Sequence, residues 1–131
     1  MLNPLFLLCL IDLQEDKDLF TRKGNADMDI EQLQKLLNNS SNIKWSKHCL
    51  ERMQERDISI ADVKSCLQTG EIIEDYPDDF PYPSCLVYGH TKENDILHIV
   101  VGSDNNSLFF ITAYFPSTDK FEKDLKTRKG Q

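Results

Sequence analysis

The sequence predicts an α+β domain: N-terminal helices packed on one face of a curved, antiparallel sheet of about four strands. Three observations lead to it. Apolar residues recur at helical spacing between residues 28 and 70, and the period then shortens to β-rich runs separated by turn residues. The last two of these runs are apolar on both faces, as strands at the centre of a helix-covered sheet are.

The first helix is read from Asp29 to Leu37, with Ile30, Leu33, Leu36 and Leu37 on one side, and the polar run Asn38 to Asn42 ends it. Ile43-Lys44-Trp45 is a brief extended piece. Ser46 is placed to cap a second helix reaching about Arg56. Asp57-Ile58 breaks the register, and Ser59 with Asp62 opens a third helix whose Ile60, Val63, Cys66 and Leu67 share a face and which stops at Gly70.

Ile72-Ile73 begins a strand, and Tyr76 to Pro83 reads as an acidic, proline-rich loop. Cys85–Tyr88, Ile96–Val101 and Leu108–Tyr114 are expected as consecutive antiparallel strands joined by turns at Gly89 to Asp95 and Gly102 to Asn106. Strict alternation puts Leu108, Phe110, Thr112 and Tyr114 on one face of the last strand, and His98 on a face with Ile96 and Val100. The segment from Lys120 is basic, with five Lys or Arg against Glu122 and Asp124.

At 131 residues with 40% hydrophobic positions, the composition fits one domain with a self-supporting core, needing neither disulfide nor structural metal. We expect that domain to span 28–131 and no cofactor. Residues 1–27 are expected to be an extension, either an extra packed element or upstream sequence translated from an early start. The break at Gly24-Asn25-Ala26-Asp27 favours the second. The apolar stretch Met1–Ile11 is shorter than the roughly 20 residues that span a bilayer. No basic residue precedes it as a secretory signal would require, so the expectation is a cytoplasmic protein without a membrane partner. Cys9, Cys49, Cys66 and Cys85 include no Cys-x-x-Cys pair and read as small core hydrophobes. A metal site assembled from them with His48, His90 and His98 is the weaker alternative.

A formal charge of −7 excludes a basic nucleic-acid-binding protein of the usual kind, but the charge is uneven. Glu71 to Asp79 holds five acids and no base, whereas Ile43 to Arg56 holds four bases against two acids. With screening beyond roughly 8 Å at physiological salt, a local cationic patch can exist on an acidic molecule. No P-loop, G-x-G-x-x-G, G-x-S-x-G or H-E-x-x-H motif is present. Glu74, Asp75, Asp78 and Asp79 lack calcium-loop spacing and read better as a solvated or partner-facing loop.

His48, Arg52 and Arg56 stand at i, i+4 and i+8 on the second helix, with Lys47 beside them. A histidine near two guanidinium groups suits a phosphate-directed acid-base site: one group moves a proton and two hold phosphoryl oxygens. The plain structural reading is a solvated face whose Glu51 and Glu55 pair with the arginines. His98 is either a satisfied sheet histidine or a group projecting into a cleft under the His48 helix. Thr112 and Tyr114 are explained by strand propensity, and are also groups an RNA site could use.

With the helix motif, the Gly-Glu-Ile-Ile segment from Gly70 and the Ile-Thr-Ala-Tyr strand in view, the chain from about Ile43 to Arg128 resembles a bacterial and archaeal family of uncharacterised domains. That family is marked by H-x3-R-x3-R-[GD]-I-S, then G-E-I-I, then a late T-x-Y. It is similar to the RelE and BrnT ribonuclease toxins, whose compact α+β fold sets helices before a curved antiparallel sheet. The resemblance implies a toxin-type, metal-independent endoribonuclease paired with a zinc-ribbon antitoxin of the YgiT type. Carried over by position are His48, Arg52, Arg56, Thr112 and Tyr114 as the catalytic set, with Lys47 and His98 as substrate-binding candidates. Asp57 stands where the family more often has Gly. The alternative is a non-catalytic binding module using the same basic helix face.

Overall fold

The computed structural model describes residues 28–38 and 40–130. The expected extension, 1–27, lies outside them. Among the described residues no helix is long and apolar enough to cross a membrane.

Three helices form where the caps and apolar spacing place them. Asp29 caps α1 (Ile30–Leu36) by accepting from the Glu31 N–H. So short a helix depends on tertiary contact. Leu33 is buried, and the Gln34 amide donates to the carbonyls of Leu67 and Gln68 at 3.0 and 3.1 Å, satisfying acceptors at the end of α3. Ser46 caps α2 (Lys47–Glu55) through the Cys49 N–H at 3.0 Å. Ser59 and Asp62 make a reciprocal capping box on α3 (Ile60–Thr69). Asp57, between α2 and α3, sits at φ 60°, in the left-handed region that glycine enters most easily, which gives a physical reason for the Gly-or-Asp position of the motif.

The sheet has five strands, not about four, and is mixed rather than antiparallel. Its order is β1-β5-β4-β3-β2, with β1 (Ile43–Trp45), β2 (Glu71–Tyr76), β3 (Ser84–His90), β4 (Ile96–Ser103) and β5 (Leu108–Tyr114). β2 to β5 pair antiparallel, as the sequence suggests. The additional strand is the short extended piece Ile43–Trp45, which pairs parallel with Leu108–Phe110. Its partner is more than 60 residues away along the chain, so no local pattern marks it. Trp45 stacks on Phe110 with ring centroids 4.5 Å apart.

Two bulges change which side chains face the helices. Val100 pairs with Thr112 and Val101 with Phe110, leaving Ile111 as the extra residue of β5. Leu108 and Phe110 therefore join the helix-side core, whereas Thr112 and Tyr114 lie across from Val100 and His98 on the outer face. The expectation of one shared face fails because a bulge breaks the alternation. Ile73 plays the same part in β2.

The helix-side core gathers Cys49 and Met53 of α2, Val63, Cys66 and Leu67 of α3, and Cys85, Val87, Leu97, Ile99, Val101 and Phe110 of the sheet. The helix α3 approaches β3 so closely that a Cβ at Gly89 would lie 2.1 Å from the Cys66 carbonyl oxygen. The opposite face is not open. The basic C-terminal segment crosses it as a strap and buries Phe121 against Leu86, Val100 and Ile111. Within the strap Phe121 and Arg128 form an isolated antiparallel bridge, and the Asp124 carboxylate accepts from the N–H groups of Lys126 and Thr127, both at 2.9 Å.

Candidate functional site

The sequence motifs bring their residues to two neighbouring places. On α2, His48 is half-buried, and its Nε2 is buried with no hydrogen-bond partner. Such an unsatisfied group calls for an explanation, since the desolvation it suffers is uncompensated. One turn on, Arg52 Nη1 lies 2.7 Å from Glu55 Oε1 in a pair whose side chains are 36% and 61% exposed, so the pair is weak and exchangeable. Lys47 is exposed in the first turn.

Arg56 is the C-cap of α2 rather than a further helical position, and its side chain leaves the helix ladder. Its Nη1 donates to the Ala113 carbonyl at 2.9 Å and to Thr112 Oγ1 at 3.4 Å. β1 covers the edge of β5 only as far as Phe110, so this guanidinium satisfies backbone beyond the covered stretch. The helix motif and the Thr-x-Tyr motif, 56 residues apart for Arg56 and Thr112, thus meet at one strand edge.

His98 does not project beneath the His48 helix. It lies on the outer face under the strap, fully buried, with Nε2 2.7 Å from the Leu125 carbonyl and Nδ1 3.2 Å from the Tyr114 hydroxyl. Phe121 meets it edge-on at 4.8 Å. A carbonyl only accepts, so Nε2 carries the hydrogen and Tyr114 donates to Nδ1. Burial lowers the His98 pKa below its ordinary value, partly opposed by the bond to Leu125. Burial likewise pushes the Tyr114 phenol up to about 12.

A set that sequence reasoning missed holds the strap down. Arg128 Nε and Nη2 grip the Glu74 carboxylate at 3.1 and 3.0 Å, and Tyr76 donates to the same carboxylate. Burial alone would raise the Glu74 pKa, but the bonds from Arg128 and Tyr76 outweigh it and hold the group below its ordinary value. Arg128 also lies over the Phe121 ring at 4.7 Å, and Lys126 over Tyr88 while bonded to Glu71 at 2.5 Å. Excess base in the tail and excess acid from Glu71 onward were the available signal. The acidic residues are therefore not simply a solvated loop: Glu74 lies on β2, and Asp79 is buried and accepts from Ser84 at 2.5 Å.

Among the described residues no three His, Cys, Asp or Glu side chains come together as a metal site. Burial pushes the Cys66 thiol up to about 12 and the Cys85 thiol upward as well, which suits inert core residues.

Residues 45–115, more than half of the chain, match the model of a domain of unknown function, DUF4258. The chain belongs to the DUF4258 family. The DUF4258 match runs from the end of β1 to the residue after β5 and holds Lys47, His48, Arg52, Arg56, His98, Thr112 and Tyr114. Phe121, Leu125, Lys126 and Arg128 of the strap fall beyond it. No curated protein and no solved structure matches the chain.

Proposed function

We propose that this DUF4258 domain is a small, metal-independent endoribonuclease of toxin type, working at the edge of β5 next to α2. The observation that carries the reading is the Arg56 contact to Thr112 and Ala113, which joins the basic helix motif to the strand motif. Two further features support it. His48 is only half-buried on the same helix, and only Nη1 of Arg56 is engaged among the described residues.

In the proposed reaction His48 takes the proton from a ribose 2′-hydroxyl as that oxygen attacks the adjacent phosphorus. The bond from phosphorus to the 5′-oxygen breaks, and that oxygen leaves with the proton that His48 has taken up, giving a 2′,3′-cyclic phosphate and a 5′-hydroxyl and returning His48 to its neutral form. Arg52 and Arg56 neutralise the phosphoryl oxygens, for which Arg52 exchanges Glu55 for substrate. Thr112 positions Arg56, Tyr114 at the end of β5 orients the nucleotide, and Lys47 adds charge along the RNA backbone. His98 supports the site through Tyr114. A zinc-ribbon protein of the YgiT type is the proposed inhibiting partner.

The competing reading is a non-catalytic module that binds a phosphate-bearing or acidic partner through the same face. It is favoured by the Arg52–Glu55 pair and the commitment of Arg56 to backbone, which leave the face already ordered. RNA incubated with the protein in EDTA separates the two. The ribonuclease reading expects cleavage that is lost in a folded His48→Ala variant; salt-sensitive binding with no cleavage leaves the module.

A further inference from the structure

Where β5 ends, the strap turns away and leaves a cleft of about 210 Å³. Tyr114, Phe115 and Phe121 supply its rings, and Asp119, Lys120 and Arg128 its charged groups. This is below the roughly 300 Å³ at which drug-sized pockets begin, so the space suits one planar ring system. We propose that this cleft is a nucleobase subsite taking the base of a single-stranded RNA nucleotide, an inference that rests on the ribonuclease reading.

Three observations carry the assignment. Phe115 follows the last strand residue with 44% of its surface exposed, so an aromatic face is presented at the mouth rather than spent on the core. Unstacked bases are held on such faces, and stacking tolerates any base. The charges have the right complement. Lys120 and Asp119 are exposed and their side chains make no hydrogen bond or ion pair among the described residues. The ammonium can meet a phosphate, and the carboxylate can accept from an exocyclic amino group such as that of cytosine. Arg128 spends Nε and Nη2 on Glu74, which keeps the strap wall in place. The cleft begins one residue beyond the proposed reaction site: the carbonyl that Arg56 holds belongs to Ala113, and Tyr114, the next residue, lines the cleft.

The test uses the isotope-labelled full chain, titrated with the four nucleoside 5′-monophosphates and with ribose 5-phosphate, which lacks a base. We expect the nucleotides to shift the backbone signals of Phe115, Asp119 and Lys120, and ribose 5-phosphate to bind more weakly. Phe115→Ala should weaken nucleotide binding by about five- to 150-fold, the range of one base stack, and Phe115→Tyr should retain it. Phe80→Ala is the control: Phe80 is equally exposed but precedes Ser84, at the other end of the sheet. Ribose 5-phosphate binding as tightly as the nucleotides, or Phe115→Ala binding them like the parent, overturns the subsite. A protein that cleaves RNA in EDTA yet shows either result keeps the ribonuclease reading and loses the subsite. One that binds nucleotides through Phe115 without cleaving keeps the subsite and loses the catalysis.

Discussion

His98 and Leu125, 27 residues apart, are joined by a 2.7 Å hydrogen bond from the imidazole Nε2 to the backbone carbonyl, a direct polar link between β4 and the strap. Leu125 holds φ at 59° to offer that carbonyl, an uncommon backbone state for a residue other than glycine or asparagine. The strap is thus tied to a titratable group enclosed by Tyr88, Tyr114 and Phe121, with Glu74 and Arg128 near enough to act on it electrostatically.

The bond predicts an acid-sensitive fold. The His98 pKa is depressed in the folded state, so between that value and the ordinary 6.5 the unfolded chain binds more protons. Stability is fully present above 6.5 and falls as the pH drops through the folded value. Urea midpoints measured from pH 7.5 to 5 should decline, and His98→Asn should flatten the decline; an unchanged slope in that variant removes His98 as its cause.

The pair Glu74 and Arg128 should matter to the strap more than to the sheet. Hydrogen bonds to charged groups contribute about 1.5–3 kcal/mol, and partial exposure of this pair brings the expected loss for Arg128→Ala to about 1 kcal/mol. Hydrogen exchange should rise at Phe121 to Lys129 before it rises at β3 and β4. Uniform loss of protection across the sheet contradicts a separable strap.

Gly89→Ala should be strongly destabilising. The added Cβ meets backbone atoms of Cys66 rather than a movable side chain. Overpacking of this kind costs about 1–3 kcal/mol or more, to be read as a lowered melting temperature. A neutral outcome means that α3 can move off β3.

Asp57→Gly should stabilise by about 0.5–1 kcal/mol, because it removes a Cβ from a left-handed residue while its backbone N–H to Gln54 remains. Chemical denaturation checks the sign. A destabilised variant would show that the Asp57 side chain does more for the turn than its conformation costs.

His48→Leu should separate stability from activity. Replacing a buried, unpartnered nitrogen by an apolar group is expected to be neutral or to stabilise by up to about 1 kcal/mol, while any RNA cleavage disappears. Loss of stability comparable to a core truncation would assign the imidazole a packing role instead.

Most of the secondary structure is local and was legible. Ser46, Ser59 and Asp62 announce helix starts because each serine oxygen answers an N–H three residues on and the Asp62 carboxylate answers the Ser59 N–H three residues back, and the β runs announce themselves by composition. The candidate site was legible only as a set of residue types. His48, Arg52 and Arg56 share a helical spacing, but a C-cap conformation turns Arg56 to Ala113, and the bulge at Ile111 decides which way Thr112 and Tyr114 face. Neither event leaves a periodic trace.

By itself the sequence determined the α+β class, the three helices, the four antiparallel strands and a basic helix face on an acidic chain, since each follows from interactions within a few residues. Tertiary structure alone decided that Ile43–Trp45 completes the sheet beside β5, that His98 lies under a strap and not under α2, and that Arg128 finds Glu74. The physical reason is common to all three. Those partners lie 27 to 65 residues apart, and their free energy depends on burial and pairing that exist only once the sheet has assembled.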